Sequence, residues 1–172
     1  MELMFRDYMI RSWKGGDAYS ISKYANNRKI WLNLRDGFPH PYSLADAKQF
    51  IAKAQAKDPE TFFAIASLKE AIGSIGLGLG QDVHRYSAEL GYWLAEPYWN
   101  QGVITDSIFK ITEYAFEELE LLRIYTEPYA SNPASLKVLE KCGFQYEGRL
   151  KANVYKDGKV LDQLMYAKTK IT

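Results

Sequence analysis

Tyr98-Trp99-Asn100-Gln101-Gly102-Val103-Ile104-Thr105-Asp106 links an apolar, strand-like segment to a helical pattern. Beyond Ile104 the apolar residues recur every three or four positions, which is the spacing of an amphipathic helix. These positions are Ile108, Ile111, Ala115 and Leu119. The pattern predicts a turn followed by a helix that begins at about Gln101.

The turn itself has the chemistry of an anion site. Backbone N–H groups in the first turn of a helix lack intrahelical partners, and the helix dipole places partial positive charge there. No Ser, Thr or Asp precedes this helix as a cap, and Gly102 leaves the amides uncovered by a side chain. A phosphate group fits such a place, although a glycine that merely eases a tight turn is an equally open interpretation.

Strand and helix patterns alternate through the chain, which indicates a mixed α/β fold. Strands are predicted at 9–13, 61–66, 71–79, 85–94, 123–129, 144–150 and 160–167, and helices follow Asp17, Ser43, Gln101 and Asn132. The strands at 85–94 and 123–129 flank the central helix and should be parallel. Ligands of such units lie beyond the carboxyl ends of the strands. The length of 172 residues suits one domain, expected to cover 1–172.

Composition excludes several classes of function. The chain has 22 Lys plus Arg against 21 Asp plus Glu, so no basic field is available to hold a nucleic-acid backbone. No apolar run approaches the roughly 20 residues of a membrane span, and charged residues occupy the start of the chain where a signal peptide needs apolar ones. A cytoplasmic protein without a membrane partner is expected.

Residues with catalytic chemistry of their own are scarce. The chain has two histidines and one cysteine, and no Ser-His-Asp set, metal-ligand cluster or P-loop is readable. Cys142 is expected to be a small core residue, with a nucleophilic role as the weaker alternative. The glycine run at 76–80 lacks the following helix that a dinucleotide site needs, so its glycines are expected at close-packed strand positions. Any reaction must therefore demand little from side chains.

Three segments resemble the GCN5-related N-acetyltransferases, particularly the branch that acetylates ribosomal-protein N-termini. The turn at 98–106 is similar to the family's acyl-CoA pyrophosphate loop, with Gly102 at its central glycine, although Trp99 and Ile104 replace its outer positions. The segment 130–144 resembles the family's N-x-x-S-x-x-x-x-E-K-x-G-F helix, and 33–42 resembles its R-D-x-F-P-x-P-Y loop. The resemblance implies a central twisted mixed sheet of about six to seven strands flanked by about four helices.

The resemblance also implies an acetyl-CoA site and no metal. Acyl-CoA would lie in the crevice between two splayed parallel strands, with its pyrophosphate on backbone amides of the turn. The residues implied for this site are Leu94, Gln101, Gly102, Val103, Ile104, Thr105, Asn132 and Ser135.

Catalytic roles are expected for Glu89 and Ser135. Glu89 is an acidic residue in an otherwise apolar strand and would take a proton from the acceptor amine, unless it only pairs with Arg85 or Arg123. Ser135 would hydrogen-bond or protonate the departing thiolate. The acceptor pocket is expected to use Arg35, Phe38, Tyr42 and Tyr92, whereas the alternative packs Phe38 and Tyr42 onto the core.

The expected reaction is acetyl transfer from acetyl-CoA to a primary amine by direct attack in a ternary complex. A protein α-amine, with a pKa near 7.7 to 8.0, needs less help from a base than lysine near 10.4. The first expectation is therefore a protein N-terminus, for example that of a ribosomal protein, acted on by a monomer or homodimer. Alternatives are a polyamine or aminoglycoside acetyltransferase, a non-catalytic acyl-CoA-binding regulatory module, and a nicotinamide-cofactor protein.

Overall fold

The computed structural model describes residues 1–171, and Thr172 lies outside this range. Eight strands are present: β1 (Glu2–Phe5), β2 (Tyr8–Arg11), β3 (Phe62–Ser67), β4 (Ala71–Leu79), β5 (Ser87–Leu94), β6 (Arg123–Thr126), β7 (Gln145–Lys156) and β8 (Lys159–Thr169). The helices are α1 (Asp17–Ala25), α2 (Arg28–Trp31), α3 (Leu44–Gln55), α4 (Val103–Glu117) and α5 (Pro133–Lys141). Within residues 1–171, none of the helices has the length and apolar character that crossing a membrane requires.

The strands form one sheet in the order β1-β2-β3-β4-β5-β6-β8-β7. All neighbours are antiparallel except β5 and β6, which are parallel as expected for the strands on either side of α4. Pairing between β5 and β6 stops at Glu89 and Tyr125. Beyond that point β5 continues along β4 alone, while the chain after β6 turns onto β8 through the hydrogen bond from Leu164 N to Pro128 O (2.9 Å). The two parallel strands therefore diverge and leave an opening in the sheet.

Alternating side chains of the sheet feed two hydrophobic cores. In β3, Phe63 and Ile65 belong to the core that contains α4 and α5, whereas Ala64 belongs to the core of α1 to α3. In β5, Leu90 lies in the first core and Trp93 in the second. Because side chains alternate along a strand, Tyr92 lies on the α4–α5 face and Glu89 on the α1–α3 face.

The strand and helix counts exceed the sequence-based expectation by one each. The additional strand β1 has only four residues, half of them exposed, so its pattern is weak; Leu3 and Phe5 nevertheless pack against the core. The additional helix α2 is a single turn. Helix α4 begins at Val103 rather than Gln101, because Gly102 has a φ of 79° and caps the helix instead of entering it.

The glycine run at 76–80 lies at the end of β4 and the following turn, not in a nucleotide-binding loop. A Cβ at Gly76 would clash with the ring of Phe62. The prediction of a close-packed strand position is confirmed there, because only a hydrogen leaves room for that ring.

Candidate active site

A single cleft of about 990 Å³ passes through the opening between β5 and β6. One wall contains the turn before α4 and the start of α5, and the other contains the loop after α2. The cleft thus joins the two faces of the sheet. A ligand on the α4–α5 side can meet a second ligand on the α1–α3 side near the divergence point of the strands.

The turn before α4 forms an anion nest at one end of the cleft. Asn100 and Gly102 both have left-handed backbone conformations, with φ of 59° and 79°. The first helical hydrogen bond runs from Asp106 N to Gly102 O (3.0 Å), so the amides of residues 103–105 precede the first hydrogen-bonded turn. Gly102 occupies the N-cap position and has no side chain that could accept a hydrogen bond from these amides. Successive amides at a helix start fit the pyrophosphate of a nucleotide-derived ligand.

The side chain of Gln101 does not contribute to this nest. Its Nε2 donates to Pro97 O at 2.8 Å, and the residue is not among those that line the cleft. Val103, Ile104 and Thr105 do line it. Leu94 is a buried residue in the wall of the cleft, and its carbonyl oxygen accepts a hydrogen bond from Trp99 Nε1 (2.7 Å).

Arg6, in the turn between β1 and β2, supports the nest from outside the cleft. Its Nη1 donates to Gln101 O (2.9 Å) and its Nη2 lies 2.8 Å from Asp106 Oδ2. A Cβ on Gly102 would lie 3.2 Å from Nη2 of this arginine. No local sequence pattern links Arg6 to this turn, because Arg6 lies 95 positions before Gln101 in the chain.

Two hydroxyl groups meet in the middle of the cleft. Tyr92 Oη lies 2.6 Å from Ser135 Oγ, and both residues line the cleft. Ser135 is positioned by the start of α5, where Asn132 caps the helix by accepting a hydrogen bond from Ser135 N (3.2 Å). Burial raises the pKa of Tyr92 to about 12. The tyrosine therefore keeps its proton at neutral pH. Tyr92 lies on the α4–α5 face, and its contact with the acceptor stays a prediction.

Glu89 lies at the other end of the opening, where β5 and β6 diverge. Both of its carboxylate oxygens accept hydrogen bonds from Arg35 in the loop after α2. Arg35 Nη2 also lies 3.6 Å from Glu127 Oε2. The alternative expectation that Glu89 pairs with Arg123 is wrong, because Arg123 pairs with Glu147. Arg85 instead donates to Asp82 O (3.0 Å).

The two aromatic residues expected at the acceptor pocket have different positions. Phe38 lines the cleft and packs edge-on against Trp93, with ring centroids 5.8 Å apart. Tyr42 is 6% exposed, packs on Phe38 and is not among the cleft residues. Burial raises its pKa to about 12. This burial agrees with the alternative that packs Tyr42 onto the core, and a contact between Tyr42 and the acceptor stays a prediction.

Cys142 is buried at the end of α5, with its Sγ 3.5 Å from Thr105 O. Burial raises its pKa to about 11, which disfavours the nucleophilic thiolate. Among residues 1–171, no group of three or more His, Cys, Asp or Glu is arranged to hold a metal ion.

Three features define an acyl-CoA-dependent acetyltransferase fold here. They are the sheet with splayed parallel strands, the anion nest and the cleft that passes through the sheet. Residues 8–145 match the family described as the acetyltransferase (GNAT) domain, and the chain belongs to this family.

Two curated relatives are also named as N-acetyltransferases. The uncharacterized N-acetyltransferase YoaA of Bacillus subtilis is 37% identical over 99 residues, 58% of this chain and 55% of that protein. The match thus spans about half of that relative's length. The uncharacterized N-acetyltransferase p20 of Bacillus licheniformis is 32% identical over 172 residues, 97% of this chain and 96% of that protein.

Solved structures share the fold. A ribosomal L7/L12 α-N-protein acetyltransferase in complex with coenzyme A has a TM-score of 0.86 at 19% identity, covering 97% of this chain and 96% of that one. The spermidine N-acetyltransferase of Vibrio cholerae, in complex with CoA and spermine, has a TM-score of 0.80 at 25% identity, with coverages of 95% and 96%.

Proposed function

We propose that this protein transfers an acetyl group from acetyl-CoA to a primary amine, most favourably the α-amine of a protein N-terminus. One observation carries the proposal: a single cleft contains the anion nest, the Tyr92–Ser135 hydroxyl pair and the Glu89 carboxylate. Structural neighbours in complex with coenzyme A or acetyl-CoA support the first substrate.

The nest and the start of α5 would hold the acyl-CoA. The amides of residues 103–105 receive the pyrophosphate, and the unpaired edge of β5 beyond Glu89 faces the pantetheine arm. A thioester is already activated, so the protein has to align the two substrates, stabilise the oxyanion and manage protons.

The hydroxyl pair would act on the departing sulfur. An ordinary thiol has a pKa of about 8.5, far below the value of about 12 for Tyr92. Full proton transfer from Tyr92 to a thiolate is therefore uphill. The pair acts instead by donating a hydrogen bond, with Ser135 relaying between Tyr92 and sulfur.

Glu89 would take the proton from the acceptor. Its position at the divergence of β5 and β6 places it on the α1–α3 face, opposite the hydroxyl pair. An amine that enters beside the loop after α2 meets this carboxylate before it reaches the thioester. General-base assistance of this kind contributes roughly 100- to 10,000-fold in rate.

The charges around the acceptor end favour an α-amine over a polyamine. The carboxylates of Asp36, Glu89 and Glu127 line this end of the cleft or the adjoining pocket of about 390 Å³. Arg35 and Lys156 line the same region and pair with these carboxylates, whereas Lys29 pairs with Glu96, so the excess is a single negative charge. One excess charge suits a single ammonium group, and a site built for a polycation needs a larger surplus of carboxylates. The polyamine alternative is nevertheless kept, because a spermidine N(1)-acetyltransferase of Vibrio cholerae is 28% identical over 155 residues.

The test is release of CoA thiol from acetyl-CoA with three groups of acceptors, with product masses recorded. The acceptors are peptides with free α-amines and different first residues, N-blocked peptides that contain lysine, and spermidine. Release only with free α-amines supports the proposal and identifies the preferred first residue. Release only with spermidine moves the function to small amines, and acetyl-CoA binding without release from any acceptor favours the regulatory module.

A further inference from the structure

Arg35 connects the acceptor loop to both sides of the opening in the sheet. Its guanidinium forms a two-pronged hydrogen-bonded pair with Glu89 at the end of the β5–β6 pairing and approaches Glu127, which follows β6. The Arg35 side chain is 65% exposed, whereas those of Glu89 and Glu127 are 28% and 21% exposed. The carboxylates thus belong to the cleft, and the arginine reaches them from outside.

We propose that Arg35 occupies the place of the acceptor's ammonium group and selects against acceptors that carry a second positive charge nearby. This inference rests on the proposed function and deepens it, because it names the acceptor class that the site prefers. The guanidinium donates to both oxygens of Glu89, so an entering ammonium group competes with Arg35 for that carboxylate. Because the Arg35 side chain is 65% exposed, water can solvate its guanidinium as it leaves, and another cation can take its place on the carboxylate.

After this exchange the positive charge of Arg35 stays near the site, and this charge produces the selectivity between acceptors. Arg35 remains attached to its loop after it withdraws, and it lines both the cleft and the adjoining pocket. Lys156, on the wall of that pocket, keeps its own partner, with Nζ 2.7 Å from Asp36 Oδ1. A peptide α-amine brings one positive charge to Glu89 and then polar amide groups. A polyamine brings a second ammonium group, which the released guanidinium repels.

No other arginine or lysine among residues 1–171 lies within 4 Å of Glu89 or Glu127. Removing the Arg35 charge therefore leaves these two carboxylates without a neighbouring cation. The site of an Arg35→Gln variant gains net negative charge, which favours a polycation. If Arg35 instead binds the acceptor directly, its removal weakens peptide and polyamine acceptors alike.

The experiment compares kcat/KM for a free-α-amine peptide and for spermidine in the wild type, Arg35→Gln and Arg35→Lys. The ratio of spermidine to peptide should rise roughly two- to fivefold in Arg35→Gln, and the rise should shrink in high salt. Arg35→Lys keeps the charge and should stay near the wild-type ratio. Arg123→Gln is the matched control, because it breaks another Arg–Glu pair whose residues do not line the cleft, and it should leave the ratio unchanged.

A second measurement does not depend on catalysis. Methylguanidinium is titrated into the CoA-loaded protein and followed by NMR. It should bind the Arg35→Ala variant, in which the guanidinium position on Glu89 is free, and should not bind the wild type. Equal binding to both proteins, or an unchanged or lower spermidine-to-peptide ratio in Arg35→Gln, overturns the inference. If no acceptor is acetylated by the wild type, the proposed function fails, and the methylguanidinium titration still decides whether Arg35 occupies a cation seat.

Discussion

The phenolic oxygen of Tyr92 lies 2.6 Å from Oγ of Ser135, although 43 residues separate the two in the chain. Strand β5 and helix α5 bring these hydroxyls together inside the cleft. Neither group is a strong acid by itself. Their contact places a hydrogen-bond donor between the cofactor end and the acceptor end of the cleft.

Tyr92→Phe and Ser135→Ala should each lower kcat by roughly 10- to 1,000-fold, as expected for a donor that stabilises developing charge. Because the two hydroxyls share one hydrogen bond, the double variant should lose little more than the more damaging single variant. Steady-state kinetics and acetyl-CoA calorimetry provide the measurements, with binding expected to remain close to wild type.

Tyr86→Phe is the control for this pair, since Tyr86 is 48% exposed and does not line the cleft. The pKa of Tyr92, raised to about 12, also predicts that activity has no alkaline limb from this group below about pH 11. Fully additive losses in the double variant would contradict the shared role.

Gly102→Ala should weaken acetyl-CoA binding several-fold and lower the free energy of unfolding by about 1–2 kcal/mol. The φ of 79° is strained for any residue with a Cβ, and the added methyl would lie 3.2 Å from Arg6 Nη2. Calorimetry with acetyl-CoA and denaturant unfolding measure the two effects. Gly148→Ala is a matched control, because a Cβ there meets no atom within 4 Å; similar losses in both variants would argue against a special role for the turn.

Arg6→Ala should raise the Kd of acetyl-CoA roughly two- to fivefold, because the nest loses a nearby positive charge and the contacts of Arg6 with Gln101 and Asp106. The effect should diminish in high salt. Asp106→Asn removes a negative charge from the first turn of α4 and should change acetyl-CoA affinity in the opposite direction at low salt. The KM for the acceptor should be unaffected in both variants. A change confined to the acceptor KM would contradict the role of Arg6 in supporting the nest.

Asp36→Ala should lower the free energy of unfolding by about 1–3 kcal/mol, because it leaves the buried ammonium of Lys156 without its carboxylate partner. The Lys156 side chain is 2% exposed, contacts Asp36, and has Nζ 3.7 Å from the centroid of the Trp31 ring. It thereby ties the β7–β8 hairpin to α2 and the acceptor loop. Arg28→Gln breaks the more exposed pair with Asp157 and should cost less than about 1 kcal/mol. Equal unfolding energies for the two variants would show that Lys156 has no such role.

Short-range patterns predicted local structure well because neighbouring residues create them. The helix predicted to follow Ser43 is α3, where Ser43 and Asp46 form a capping box and the Ser43 hydroxyl helps to lower the pKa of the Asp46 carboxyl. Asn132 caps α5 as predicted. The turn at Asp157 and Gly158 joins β7 and β8 with both residues at positive φ.

Predictions failed where the signal was short or the partner was distant in sequence. The four-residue β1 and single-turn α2 are too short to show a period. Tyr42 is an aromatic residue in a loop, a pattern that fits a pocket residue and a core residue alike, and only the tertiary structure shows that it is buried against Phe38. Residue type alone also failed to select the partner of Glu89.

The sequence by itself determined the strand–turn–helix around Gly102, the capped α5, the alternation of strands and helices and the resemblance to the acetyltransferase family. These features depend on the hydrophobic period, on capping chemistry and on the conformational freedom of glycine, all of which act over a few residues. Tertiary structure alone decided that Arg35 meets Glu89 across 54 residues, that Tyr92 meets Ser135, and that Arg6 supports the turn at Gln101. These contacts arise because the divergence of β5 from β6 and the packing of helices on both faces of the sheet set the distances between residues that are remote in the chain.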